Sequence, residues 1–544
     1  MKQNLYLKFL RGSYTRVILL GVMGILSSAC GVYLAFVSKS VVDMATGQME
    51  GDLLRTAMQL GAVILIQLAF QTGITLLHVH TSVSLRFRIQ SELYERFLRK
   101  QKLATDRFHS GEIVHRLAGD AGIVAGGIAE IFPSLLSISA RIIFSFTALF
   151  ILDWVLAVLC IVAGFLMLIA AYIYRKKTGD IFRKNRENEG KIRTFIQETA
   201  QNFAVIQAFS VQSVMRRLLG KAQRDSYKLI LRTNHISIGA TVAMSMAMTI
   251  GYYAALGWGA WRIFSGAITF GTLTAVLGLI GDISTPFEQI ASLFPQYLSF
   301  CASAERLEEI ENLPANDFDL QEEPKSVYQS MTAIQMEHVT FAYEDAKILD
   351  GLSGELLKGK FTAVCGKSGI GKSTLLNLLL GIYQAESGRI TALLESGEQI
   401  PLSACRRMFA YVPQEFMLLS GTVLENITLF EENPDLSRFE KALSLACLTE
   451  EVEQFPDSWH TDLGENGGRL SGGQRQRMAI ARALYADADI LLMDESTSAL
   501  SADMEKQILE NLRKTGKTVI FVTHRKTAVE LCDTVLYLEQ GTFR

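Results

Sequence analysis

The seven cysteines of this 544-residue chain form no C-x-x-C pair, and none has a histidine nearby at ligand spacing. Cys30, Cys160, Cys301, Cys365, Cys405, Cys447 and Cys532 therefore read as reduced thiols, which argues against a disulfide scaffold or a zinc module. An excess of one charge is missing as well: 53 Lys and Arg stand against 55 Asp and Glu, a net charge of −2. Basic residues sit in blocks rather than on a tail, so nothing points to nucleic acid as a partner. What is in excess is apolar. The chain is 49% hydrophobic with a mean hydropathy of +0.23. The excess lies in the N-terminal half, while the remainder has the composition of an ordinary α/β protein.

Lys2, Lys8, Arg11 and Arg16 precede an apolar run that reaches "LSSAC", the outline of a secretory signal with a lipoprotein-like cysteine. Ser27 replaces the large aliphatic residue such a signal needs, and the run continues through "GVYLAFV". It is long enough to span a bilayer, which takes about 20 residues. Six such spans are expected, at 17–38, 57–80, 134–152, 154–174, 236–264 and 270–298. Lys and Arg crowd the segments between spans two and three (Arg86 to Arg116) and between four and five (Arg175 to Arg193 and beyond). The positive-inside rule places both long loops and both termini in the cytosol. "IQSELYERFLRKQ" and "KIRTFIQETAQNFAVIQAF" keep helical periodicity, so the helices continue well past the membrane.

Inside the spans, Arg141 and Asp282 lie at similar depth, and ionisable groups there usually face a bundle interior or a wet cavity. Asp282, Thr285, Gln289, Ser292 and Gln296 recur at helical spacing as a polar stripe. Two readings stay open: a hydrated translocation path, or an Arg141–Asp282 pair with helix-packing polar groups. His78 and His80 are about 200° apart on a helix, cannot share a ligand face, and read as interfacial polar residues.

A charged linker spans 311–330, and "IQMEHVTFAY" then alternates as a strand. "FTAVCGKSGIGKSTLLNLLLGIY" reads strand, Gly-rich loop, helix, the context that confirms a G-x-x-x-x-G-K-S phosphate loop. Gly366, Lys367, Ser368, Gly369, Ile370, Gly371, Lys372, Ser373 and Thr374 form it. Its backbone N–H groups wrap phosphates, Lys372 neutralises β/γ oxygens, and the Ser373 hydroxyl binds Mg²⁺. "DILLMDE" is a buried strand that ends in Asp494, a Mg²⁺ ligand, and Glu495, which polarises the attacking water. "TVIFVTH" delivers His524 toward a γ-phosphate.

With these motifs in order, "LSGGQRQRMAIARAL" (470–484) resembles the signature of ATP-binding cassette transporters. Nearly the whole chain is similar to an exporter-type half-transporter: six spans, then one cassette. The resemblance implies an all-α six-helix transmembrane domain (1–310, with two cytosolic coupling loops), the linker, and an α/β P-loop NTPase cassette with a helical subdomain (331–544). It implies that Tyr343 stacks on adenine, that Gln414 senses Mg²⁺, and that Glu465 is the acidic residue before the signature. "FHSGEIVHRLAGDA" looks like the first coupling region and "QETAQNFAVIQAFSVQ" like the second. The family pattern further implies a dimer of half-transporters, a homodimer in preference to a heterodimer. Each ATP is held by the phosphate loop of one chain and by Ser471, Gly472, Gly473 and Gln474 of the other. Glu495 and His524 hydrolyse it, and closure switches the spans from inward- to outward-facing. The resemblance thus implies a multi-pass protein of a bacterial cell membrane that exports or flips a small amphipathic, peptide-like or lipid-like substrate.

Three departures stand out. Ser501 occupies the place of the aspartate after Ser-Ala-Leu, at the cassette interface, where a hydroxyl hydrogen-bonds but brings no charge. The chain stops at "YLEQGTFR", short of the usual last helical segment, and no protease-like domain precedes span one, against exporters that trim a leader. Two alternatives keep the fold: a partner subunit of a heterodimer that binds ATP more than it hydrolyses it, or an importer.

Overall fold

The computed structural model describes residues 9–10, 12–316, 324–343, 346–414, 416–497, 499–539 and 541–543, and the chain divides into two compact units. Residues 1–97 and 110–312 form one, 98–109 and 313–544 the other. Part of the 311–330 linker therefore lies outside the described residues.

The first unit contains six long helices: α1 (Tyr14–Ala45), α2 (Leu53–Leu98), α3 (Ala121–Leu152), α4 (Trp154–Gln201), α5 (Gln212–Phe264) and α6 (Phe270–Glu311). Among the described residues, four helical runs are long and apolar enough to cross a membrane: α1, α2, Ser110–Leu152 and α5. Helices α4 and α6 carry shorter apolar stretches, Trp154–Phe165 and Phe270–Ile283. Helix α3 packs against α1 and α6, and α4 packs against α5. Leu85, Ile89 and Leu93, four residues apart on α2, are buried with Ala121, Val124, Ala125 and Leu307. Most other apolar side chains of α2, among them Leu65, Leu68 and Leu76, are exposed. An apolar helix exposed over most of its length is one whose solvent is lipid or another chain.

Buried carboxylates fix the helix ends. Asp153 occupies the turn between α3 and α4 and accepts from the Val155 and Leu156 N–H groups. Asp43 of α1 accepts from the Gly271 N–H at 2.8 Å, which satisfies an orphan donor at the start of α6. Ser110–Val114 runs through one π-turn, His115–Asp120, into α3. Asp120 is fully buried there, accepting from Ser303 Oγ at 2.8 Å and from Arg306 Nε and Nη2 at 2.8 and 2.6 Å. Arg116 bonds Glu112, Glu309 and the Arg306 carbonyl.

The stretch 108–121, which the resemblance marks as the first coupling region, is thus mostly spent inside the helical unit. The segment that belongs to the second unit is 98–109, which the 1–310 boundary places in a loop of the transmembrane domain. Lys100 Nζ donates to the Leu313 carbonyl at 2.6 Å, Gln101 N to Pro314 O at 3.0 Å, and Leu103 packs on the second unit's core. The stretch 197–212, which the resemblance marks as the second coupling region, contains a short helix, Phe203–Ala208, between α4 and α5, with Phe203, Val205 and Phe209 exposed.

The second unit is built on two sheets. β1 (Met331–Tyr343), β2 (Ala346–Leu357), β4 (Ser387–Leu394) and β5 (Gln399–Pro401) form an antiparallel sheet in the order β2-β1-β4-β5. β3 (Phe361–Cys365), β6 (Phe409–Val412), β7 (Ile490–Asp494), β8 (Thr518–Val522) and β9 (Thr534–Glu539) run parallel, with β10 (Thr542–Phe543) antiparallel at one edge, in the order β10-β9-β3-β8-β7-β6. Strands β3, β7 and β8 are buried at every position, as parallel strands covered on both faces must be. Helices α7 (Lys372–Leu379), α8 (Val423–Thr428), α9 (Leu436–Leu445), α10 (Gly472–Tyr485) and α11 (Ala502–Arg513) accompany them. Helix α10 packs on α8 and α9, the helical subdomain.

Candidate functional site

The site forms where β3, β7 and β8 end side by side. Parallel strands share one carboxyl edge, and loops leaving that edge converge. The loop 366–371 joins β3 to α7. Gly371 has φ +107° and a Cβ there would lie 2.5 Å from Ile348 Cγ2. A Cβ on Gly366 would meet the Leu538 carbonyl at 2.6 Å. Both positions need glycine for backbone shape and for space. Lys367, Ser368 and Gly369 are exposed, Ile370 is half-buried, and Thr374 is buried behind the loop.

Lys372 opens α7 and is 6% exposed, its Nζ donating to the Gly366 and Lys367 carbonyls at 2.9 and 3.0 Å. Burial pulls its pKa below the ordinary lysine value, against the opposing pull of the Glu495 and Asp494 charges. Asp494 ends β7 and is 3% exposed. Burial raises its pKa and the Glu495 charge adds to this, while hydrogen bonds from Ser373 and Tyr411 and the Lys372 charge oppose it.

Glu495 follows with φ +44°, a left-handed conformation that strains any residue but glycine. That turn redirects its side chain out of the strand, while its N–H remains on the Val522 carbonyl at 3.0 Å. Its Oε1 lies 2.9 Å from His524 Nε2, and Oε2 accepts from Gln414 Nε2 at 2.9 Å. His524 Nε2 is also 3.1 Å from Lys372 Nζ. As an N–H this nitrogen serves Glu495, and as a bare nitrogen it accepts from Lys372. Lys372, Ser373, Gln414, Asp494, Glu495 and His524, spread over 150 residues of chain, are thereby brought together. Tyr343 stands at the end of β1, its Oη 3.3 Å from Thr374 Oγ1 and its ring edge-on to Phe341 and Tyr383. The Ser373 hydroxyl beside the Asp494 carboxylate, with the Gln414 amide one residue away, is an all-oxygen donor set of the kind Mg²⁺ prefers.

Ser471–Gln474 is a separate feature. Ser471 caps the 14-residue helix α10, and Ser471 and Gln474 exchange side-chain and backbone hydrogen bonds in a capping box. The helix start presents backbone N–H groups and the positive end of a dipole. Among the described residues no hydrogen bond joins this turn to the 366–374 loop of the same chain. Ser501 caps α11 by accepting from the Met504 N–H at 3.4 Å. An aspartate would cap the helix equally well, so the serine keeps the local fold and removes only the charge.

Sequence reasoning missed the residues that hold these loops. Glu505 is fully buried and accepts from Thr497 Oγ1, from Thr527 Oγ1 at 2.9 Å and from Arg525 Nη1 at 3.3 Å. Arg525 also donates to the Leu500 carbonyl at 2.9 Å, and Gln476 accepts from the Ala499 N–H at 2.9 Å. The 497–501 loop is therefore tied to the signature helix and to the histidine loop. Tyr411 of β6 reaches Asp494, and burial drives its phenol well above the usual range. The second carboxylate of "SADME" and an arginine after His524 were the only signals.

In the helical unit Arg141 and Asp282 are half-buried, and the Arg141 charge acts on Asp282 without an ion pair between them among the described residues. A Cβ on Gly31 would lie 3.9 Å from Asp282 and 3.7 Å from Gln67 Nε2, so α1, α2 and α6 approach there. Gln289 and Gln296 are exposed; the side chains of Thr285 and Ser292 lie outside the described residues.

Comparison with known proteins is consistent along the chain. Residues 17–287 match the ABC transporter transmembrane region, and 349–498 match the ABC transporter domain. A probable multidrug resistance ABC transporter ATP-binding/permease protein, YheI of Bacillus subtilis, is 30% identical over 402 residues, covering 72% of this chain and 67% of its own. The chain belongs to the ABC transporter family. An ATP-dependent lipid A-core flippase of Vibrio cholerae is 27% identical over 526 residues, covering 95% of this chain and 89% of its own. The fold matches a bacterial Atm1-family ABC exporter solved with ATP bound, with a TM-score of 0.79 at 21% identity over 98% of this chain and 94% of that one. This ABC protein is therefore a membrane protein with an exporter fold and an ATP-binding domain.

Proposed function

We propose that two copies of this chain form an ATP-driven exporter or flippase for an amphipathic or lipid-like substrate. The observation that carries the reading is the Glu495 carboxylate, held between His524 Nε2 and Gln414 Nε2 beside Lys372 and Asp494. Fixed on both oxygens, it is placed to orient and deprotonate a water aimed at a γ-phosphate. The loop N–H groups and Lys372 bind the phosphates, Tyr343 offers its ring to adenine, and His524 donates to the transferring phosphoryl oxygens. Ser373 and Asp494, with Gln414, would hold Mg²⁺, which neutralises charge on the β- and γ-phosphates. Ser471–Gln474 of the second copy supplies the remaining phosphate contacts from its helix start, in keeping with its separation from this chain's own loop. The termini and the ATPase unit are cytosolic in this reading, and the cell membrane is the site of action. The substrate class is drawn from relatives named as a lipid A-core flippase and a multidrug transporter; Arg141, Asp282, Gln289 and Gln296 belong to its path.

The test uses inside-out vesicles containing the chain and fluorescent lipid or amphiphile probes. Movement that requires ATP and disappears in Glu495→Gln is expected; equal movement without ATP would refute the reading.

A further inference from the structure

At the cytosol-proximal end of the spans, α1, α2, α3 and α6 enclose a cavity of about 330 Å³. That is within the range of small-ligand sites. Its polar lining includes His78 and Thr75 of α2, Glu130, Ser134 and Ser137 of α3, and Gln289 of α6; Leu20, Ile74 and Leu293 supply an apolar wall. Glu130 lies 23 residues before Asp153, where α3 ends. At 1.5 Å per residue this is about 34 Å, close to the thickness of a hydrocarbon core of about 30 Å. The cavity thus sits at the inner boundary of the bilayer.

Among the described lining residues Glu130 is the one carboxylate. Glu130 makes no hydrogen bond or ion pair among the described residues, and His78 Nε2 is buried without a partner. Pro133, also on the wall, has no N–H to give the Ala129 carbonyl four residues before it. No lysine or arginine is among the described lining residues. A half-buried carboxylate beside an apolar wall is costly unless something compensates it. A single carboxylate with carbonyl, hydroxyl and amide acceptors suits a group of charge +1 with several N–H donors. No cluster of three His, Cys, Asp or Glu among the described residues suits a metal ion.

We propose that this cavity binds the ammonium head of an alkylamine, with the carboxylate of Glu130 as its counter-ion and the hydrocarbon along Leu20, Ile74 and Leu293. The inference rests on the transport reading and makes the cavity the cytosolic-side loading site. The head can come from an ethanolamine phospholipid or from a free amphiphilic amine.

The test measures radiolabelled dodecylammonium bound to the full chain in phosphatidylcholine nanodiscs, with empty nanodiscs subtracted. Saturable binding is expected, weakened about tenfold or more in Glu130→Gln, which loses a charge-assisted hydrogen bond at low dielectric. Ser134→Phe, which fills the cavity, should weaken it similarly, and an ATP-induced rise in melting temperature identifies folded variants. If the phospholipid head is the occupant, phosphatidylethanolamine nanodiscs lower the wild-type affinity for dodecylammonium and leave that of Glu130→Gln unchanged. Equal wild-type affinity in both lipids assigns the site to free amines. Equal binding by wild type and Glu130→Gln, or binding that survives Ser134→Phe, overturns the proposal. ATP hydrolysis by the same samples separates the two claims. Hydrolysis without amine binding refutes the site alone, and amine binding without hydrolysis refutes the transport reading alone.

Discussion

The two units treat fully buried charges alike and differ in the half-buried ones. In the cassette unit Lys372, Asp494 and Glu505 are nearly or fully buried, and each is held by partners from two or more loops. The start of α3 in the helical unit follows the same rule, with Asp120 gripped by Ser303 and Arg306. For half-buried groups of the helical unit the rule fails: Glu130 has no partner, and Arg141 and Asp282 sense each other without pairing, among the described residues. Partnered charges hold a geometry, as a hydrolytic site requires. Unpartnered ones near a cavity leave their interaction free energy for a ligand.

This contrast can be broken by mutation. Glu505→Ala should have the largest effect, about 3 kcal/mol of stability, because it strands Arg525 and two threonine hydroxyls. A thermal melt of the detergent-solubilised chain checks it, and a loss below 1 kcal/mol would mean the clasp is dispensable. Asp120→Asn should cost about 2 kcal/mol, less because Arg306 is 39% exposed and partly screened. Its pH dependence has a definite sign. Burial alone would raise the Asp120 pKa, but the Arg306 and Ser303 bonds outweigh it and hold the group below its usual value. The stabilisation is then complete above the unfolded pKa of about 4 and fades only as pH falls through the depressed value. The difference between wild type and Asp120→Asn should be flat from pH 5 to 8; a difference that shrinks toward pH 5 would contradict the assignment.

Ser501→Ala should lose a helix cap, about 1 kcal/mol, whereas Ser501→Asp should melt within about 0.5 kcal/mol of wild type. The aspartate variant should also bind ATP with nearly unchanged affinity while substrate stimulation of hydrolysis changes; a tenfold affinity change would place the residue elsewhere. Smallest of all, Glu130→Gln should leave the melting temperature within the equivalent of about 0.5 kcal/mol, since no partner is lost. A loss as large as that of Glu505→Ala would erase the contrast.

The same contrast governs what could be read from sequence. The phosphate loop is legible because its donors are consecutive residues whose glycines satisfy local backbone constraints, as at Gly371. The helical membrane domain is legible because crossing a bilayer needs a long apolar run, as in α1 and α2. Tyr411, Glu505 and Arg525 were not, since their partners meet only after β6, β7 and β8 align in parallel, Tyr411 opposite Leu492 and Leu492 opposite Ile520. Register of that kind depends on long-range pairing. His78 was set aside because helical spacing separates it from His80; spacing along one helix says nothing of Glu130 on another. The division at 98–109 was missed for a similar reason, as helical periodicity continues through Leu98 with no change in composition.

The central claim is that Glu495 in this chain performs ATP hydrolysis. Mg²⁺-dependent phosphate release by the purified chain in nanodiscs tests it most directly. Wild type should hydrolyse ATP without any added partner, and Glu495→Gln should retain ATP binding while hydrolysis falls by about 10² or more. No hydrolysis by wild type until a second half-transporter is added, or equal hydrolysis by both forms, would contradict the account.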